Sequence, residues 1–141
     1  YANDVLFDLQ VRGLVPVLAH PERNAGIQRD LKIASKLAMN GVIMLVTSES
    51  FVGSFGTQAK RCAVSLLRGG MVHAIAADAH TSTGHRRPQM SSGRDAIRAI
   101  GGPTLAAAVT DEIPRAIVYD RGLDLTQIPL TPKRKFWQIL R

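Results

Sequence analysis

Residues 71–80 read M-V-H-A-I-A-A-D-A-H, an apolar run that stops abruptly in Asp78-x-His80. A short apolar run set between Gly69-Gly70 and a polar stretch predicts a buried strand over 71–77. The strand ends in a carboxylate and an imidazole, both able to bind a metal. An earlier stretch repeats the plan, with Val15-Pro-Val-Leu-Ala19 running straight into His20-Pro-Glu-Arg23. Both strands are therefore expected to deliver side chains to one shared site.

The surrounding chain alternates in the same way. A first helix, capped by Asn3 or Asp4, is expected to run through Val5, Leu6, Leu9 and Gln10 to a stop at Gly13. Pro16 lacks a ladder donor, so the strand after it starts at or just past that residue, or lies at an edge. Ile27, Leu31, Ala34 and Ala38 fall on one helical face and predict a single helix over 27–39. Residues 42–46 read as a second strand, 57–68 as a helix, and 93–100 as another. Gly101-Gly102-Pro103 breaks the chain, 104–110 is a short helix, and 113–118 is extended or helical. The order α-β-α-β-α-β-α predicts an α/β fold with βαβ units on a parallel sheet. Such a sheet gathers the loops at its strand C-termini on one side, which here places His20, Glu49, Asp78 and His80 together.

Composition bounds the function. The chain has 141 residues, enough for one domain with a real core, and 45% of them are hydrophobic. No apolar stretch approaches the roughly 18 to 20 residues of a membrane span. The single cysteine excludes an internal disulfide and fits a reducing, cytoplasmic setting. The net charge of +7 is scattered rather than striped, and aromatics make up only 5%, which argues against a nucleic-acid partner. It is compatible with a phosphorylated one. The chain opens on Tyr1 with no leader and reads as a piece of a longer one. The segment 125–141, with Lys133-Arg-Lys-Phe-Trp137, differs in composition and reads as a basic tail, either frayed or a docking helix.

Imidazole with carboxylate suits zinc, manganese or iron, so His20, Asp78 and His80 are the candidate ligands. His73 sits within an apolar strand and reads as a satisfied core group. His85, in the long loop 78–92, reads as solvated. Arg23 and the pair Arg86-Arg87 flank the same mouth, and guanidinium groups clamp phosphate in bidentate fashion. Metal ligands beside such clamps point to a phosphate ester. Cys62 and Arg68 have the C-x5-R spacing of cysteine-dependent tyrosine phosphatases. The residues between them are helix formers without glycine, so no phosphate-cradling loop can form and a cysteine nucleophile is rejected.

Ala19-His-Pro-Glu-Arg23, Val46-Thr, Gly53-Ser-Phe-Gly56, Val72-His, Ala77-Asp-Ala-His80, Arg86-x-Pro88 and Pro114-Arg-Ala116 resemble, in order and spacing, the bacterial tyrosine phosphatases of the polymerase and histidinol phosphatase (PHP) superfamily. These belong to capsular and exopolysaccharide loci. The resemblance covers about residues 1–120 and implies the C-terminal half of a distorted (β/α)7 PHP barrel over 1–124. It implies a trinuclear centre of divalent ions, manganese first and iron or zinc next, with His20, Asp78 and His80 among its ligands. It makes Arg23 and Arg86, the latter favoured over Arg87, contacts to substrate phosphate.

Two departures accompany the resemblance. The family's opening His-x-His strand and its further His and Glu ligands have no counterpart here, and Ser48-Glu49 stands where Ala-Gly is usual. Glu49 is then either an extra ligand or a group that crowds the substrate. The function implied is metal-dependent hydrolysis of phosphotyrosine on a protein, expected to be a bacterial tyrosine kinase, by a chain that allows homo-oligomers. The alternatives are another PHP phosphoesterase, acting on histidinol phosphate or a nucleotide phosphate, and a non-catalytic binding remnant without the N-terminal ligands.

Overall fold

A computed structural model describes residues 2–123, so the basic tail over 125–141 lies outside the described residues. The chain begins with α1 (Ala2–Val11), followed by β1 (Val17–Ala19), α2 (Ala25–Arg29), α3 (Leu31–Met39) and β2 (Ile43–Thr47). Then come α4 (Thr57–Arg68), β3 (Ala74–Ala76), α5 (Ser91–Ala107), a π-helical turn over Ala108–Glu112 and α6 (Ile113–Val118). The strands form a parallel sheet in the order β1-β2-β3, with Val17 beside Ile43 and Leu45 beside Ala74. This bears out an α/β fold built from βαβ units. Among the described residues the sheet is open, with β1 at one edge.

Burial follows from strand position. Central β2 is buried on both faces, with Ile43, Met44 and Val46 in the interior, as a covered parallel strand requires. Edge strand β1 leaves Val17 exposed, beside exposed Leu14 and Val15. Helix α4 buries Ala59, Cys62, Ala63, Leu66 and Leu67, the i, i+3, i+4, i+7, i+8 stripe of a helix lying on a core. Ile97 from α5 and Val109 from the π turn complete that core.

Several expected boundaries moved, each for a local reason. Residues 27–39 form two helices rather than one, because Asp30 is extended at φ −142° and caps α3 by accepting the Lys32 N–H. Asn24 caps α2 in the same way, accepting from Gly26 and Ile27. Helix α1 is already under way at Ala2, which places Asp4 in its first turn instead of at the cap. The break at 101–103 is a kink within α5, where Gly102 adopts φ 85° ahead of Pro103.

The strand expected over 71–77 shortens to Ala74–Ala76. Met71 N–H belongs to the end of α4, donating to Leu66 O. His73 N–H does donate to Met44 O at 3.1 Å, but Met44 N–H returns the bond to the His73 ring, at 2.9 Å from Nδ1. One rung of the sheet is thus made by a side chain. His73 is the satisfied core group its setting suggested, and burial lowers its pKa from 6.5.

Two predictions follow from this packing. A Cβ on Gly93 would meet the Ser48 side chain and lie 2.5 Å from the Ser48 carbonyl oxygen. Gly93→Ala should therefore destabilise the chain by about 1–3 kcal/mol, read as a lower urea midpoint. His73 is held neutral in the folded state, so the unfolded chain takes up that proton more readily. Stability should fall as pH drops below about 6.5 toward the depressed folded value. In His73→Gln, urea midpoints at pH 7.5 and 5.5 should lie closer together than in the unsubstituted chain.

Candidate functional site

The ends of all three strands converge, as the parallel topology requires. After β1, His20 takes a left-handed conformation at φ 42° and opens a 3-10 turn over Pro21–Arg23. After β3, Asp78 is left-handed as well, at φ 52°. Asp and His tolerate this region better than most side chains, and such residues concentrate at functional sites. His20 N–H donates to Leu45 O at 2.8 Å, so the sheet ladder runs right up to the first candidate residue.

The arginines and Asp78 meet directly. Arg23 Nη2 donates to Asp78 Oδ2 at 2.7 Å, and Arg86 Nη2 reaches the same oxygen at 3.2 Å. Burial by itself would raise the Asp78 pKa. The hydrogen bond and charge of Arg23, joined by His80 and Arg86, outweigh it and hold the carboxyl below its ordinary value. Arg87, by contrast, turns away and donates to Gln89. Arg23, Arg86 and His20 line one open cavity of about 620 Å³.

His80 is tethered at both ring nitrogens. Nδ1 lies 2.7 Å from the Asp78 backbone oxygen, which can only accept, so Nδ1 carries the proton. Nε2 is then the acceptor and faces Arg86 Nη2 at 3.1 Å. A lone pair on Nε2 with the other nitrogen pinned to a carbonyl is the tautomer a metal ligand needs. The wider donor set does not fit a metal centre by itself, however. Among the described residues no three His, Cys, Asp or Glu side chains gather closely enough to hold an ion. Asp78 Oδ2 is already engaged by two guanidinium groups.

Glu22, Glu49 and Phe55 complete the arrangement, and of these only Glu49 has a role weighed from sequence. Glu22 is fully buried; its Oε1 accepts from Ser50 Oγ at 2.7 Å and Thr47 N–H at 3.3 Å, and lies 4.0 Å from Arg23 Nε. It ties the turn after β1 to the end of β2. Glu49 accepts from Ser54 Oγ at 3.0 Å and from Ser92 Oγ at 2.7 Å, so both its oxygens are engaged. The Phe55 ring centroid lies 4.7 Å from Arg23 Cζ. The sequence marked Glu22 only by its place in the turn, and Phe55 only by the glycines around it. Cys62 is buried in α4, with its thiol pushed up to about 11 by burial and the nearby Glu22 charge, which bears out its rejection as a nucleophile.

Arg23, Arg86, Asp78 and the tethered His80 thus meet on one side of the sheet. The sequence profile described as capsular polysaccharide synthesis, CpsB/CapC, matches residues 1–119, and the chain belongs to that family. It is 39% identical over 80 residues to the tyrosine-protein phosphatase YwqE of Bacillus subtilis (strain 168), covering 57% of this chain and 32% of that protein. It is 34% identical over 90 residues to CapC of Staphylococcus aureus, whose name carries a provisional tyrosine-protein phosphatase assignment, covering 64% of this chain and 34% of that protein. A solved structure from work on YwqE and on CpsB of Streptococcus pneumoniae, described as unique metal-dependent tyrosine phosphatases, superposes with a TM-score of 0.82 at 28% identity. That match covers 95% of this chain and 53% of the solved one. The chain thus spans only part of the length of the relatives it matches.

The Asp78 carboxylate is charged through its arginines, which gives a pH prediction of its own. Its stabilising pairing is complete above its ordinary pKa and is lost as pH falls through the depressed folded value. Acid unfolding of Asp78→Asn should lack this component, while the pairing-dependent stability near neutral pH is reduced. Fluorescence-monitored acid titration of both chains reads the difference.

Proposed function

We propose that this chain supplies the phosphate-recognition side of a phosphomonoesterase of the tyrosine-phosphatase kind. Arg23 and Arg86 are the phosphate contacts. His20, Asp78 and His80 are donors to a divalent-metal centre, manganese first and iron or zinc next, that needs further donors beyond the described residues. On these residues alone the chain binds phosphate and does not turn it over. The physiological ligand is then phosphotyrosine on a protein, in the setting of capsule or exopolysaccharide synthesis, with a bacterial tyrosine kinase as the partner.

One observation carries the reading: two guanidinium groups converge on a single oxygen of Asp78. A phosphate oxygen presents the same charge and acceptor geometry to the same pair, so Asp78 occupies the seat a phosphate would take. Family membership supplies the reaction class, and the absence of a closed donor set among the described residues favours binding over turnover by this chain.

Binding of phenyl phosphate in the presence of chelator, followed by NMR titration, tests the recognition half. Arg23→Ala and Arg86→Ala should each weaken binding about tenfold or more, the loss of a charge-assisted hydrogen bond. Asp78→Asn should strengthen it, because the competing carboxylate charge is gone. Turnover of p-nitrophenyl phosphate with added manganese tests the other half and should stay at background. Chelator-sensitive turnover that disappears in Asp78→Ala would show that the donors present suffice and would overturn the binding-only reading.

A further inference from the structure

We propose that Phe55 is a positioning residue for Arg23 and that Glu49 holds Phe55 in place. The inference rests on the phosphate-binding role given to Arg23 above and assigns two residues to that role. The Phe55 ring lies over the guanidinium, with 4.7 Å between Arg23 Cζ and the ring centroid. The aromatic face takes the cation, while Nη2 remains directed at Asp78 Oδ2. Contact with the ring and pairing at Nη2 restrain the guanidinium before any ligand arrives. The arginine then has less rotamer freedom to lose when phosphate binds.

Phe55 is only half-buried and packs against neither hydrophobic core cluster, so filling the interior does not account for it. Its loop is built for placement. Phe51 anchors one end in the core. Gly53 and Gly56, at φ 96° and 90°, turn the chain on either side of Ser54 and Phe55. Ser54, next to Phe55, is held twice by Glu49: its N–H donates to the Glu49 backbone oxygen at 3.1 Å, and its hydroxyl to the carboxylate at 3.0 Å.

The other carboxylate oxygen of Glu49 takes the Ser92 hydroxyl at the start of α5. Gly93 packs directly on Ser48 at the same point, which leaves this anchor little room to drift. Glu49 therefore acts here as a brace. Each of its oxygens accepts one hydroxyl group, tying the loop to the start of α5.

The test is a double-mutant cycle on the 141-residue chain, with phenyl phosphate as the probe and melting temperatures measured alongside. Phe55→Leu keeps apolar bulk but removes the ring, and should weaken binding about three- to tenfold, whereas Phe55→Tyr should stay within about twofold. In an Arg23→Ala background, Phe55→Leu should have no further effect, because Phe55 acts through Arg23. Glu49→Ala should weaken binding in the Arg23 chain and not in the Arg23→Ala chain. An equal loss in both backgrounds, or no loss from Phe55→Leu, overturns the proposal.

Rotation of the Arg23 guanidinium, followed by its side-chain NMR signals without ligand, gives a readout independent of phosphate. It should speed up in Phe55→Leu and not in Phe55→Tyr. If the unsubstituted chain fails to bind phenyl phosphate, the phosphate reading falls. The rotation rate still decides whether Phe55 positions Arg23.

Discussion

The site depends on one buried carboxylate. Glu22 has no solvent exposure, and a buried carboxylate needs donors. Oε1 finds them at the end of β2, in the Thr47 N–H and the Ser50 hydroxyl, with the Arg23 guanidinium close by, while Oε2 has no hydrogen-bond partner. Its own backbone oxygen takes the Gln28 side chain. Glu22 thereby fixes the turn after β1 against the neighbouring strand end. His20 and Arg23, on either side of it, inherit their positions from that bond network.

Electrostatics at the mouth follow from how the carboxylates are shared. Arg23 and Arg86 both pair with Asp78 Oδ2, and Arg23 also lies 4.0 Å from the buried Glu22. The buried Nε of each arginine has no hydrogen-bond partner, which leaves the pair with unspent donor capacity for an anion. Asp78 is at once the partner that keeps the arginines folded inward and the group any arriving anion must displace. Bringing a cation to Asp78 would shift that balance in the anion's favour, because the carboxylate cannot serve both at full strength.

Much of this was legible in the sequence, for identifiable reasons. The apolar runs ending in His20 and Asp78-x-His80 fixed the strand ends, and parallel topology did the gathering. The helix read over 57–68, stopped by Gly69-Gly70, has the bounds observed for α4. What was not legible depended on side chains competing with the backbone. Asp30 split a helix by capping its second half, and the His73 ring shortened a strand by standing in for a rung. The Arg23–Asp78–Arg86 pairing is hidden in the sequence, where each residue fits a separate ligand role. Glu49 stands out as a departure, but its partners Ser54 and Ser92 are distant or unremarkable in sequence, and nothing there shows a brace.

The ring-made rung between His73 and Met44 also changes how the sheet centre reports on itself. In an ordinary ladder an amide is shielded by a neighbouring backbone oxygen, and only an opening of the strands exposes it to solvent. The Met44 amide is shielded by an imidazole lone pair, which a single proton removes. Its hydrogen–deuterium exchange is therefore coupled to a titration as well as to unfolding. The interior of the central strand thus holds one amide whose protection depends on a side chain instead of a second backbone.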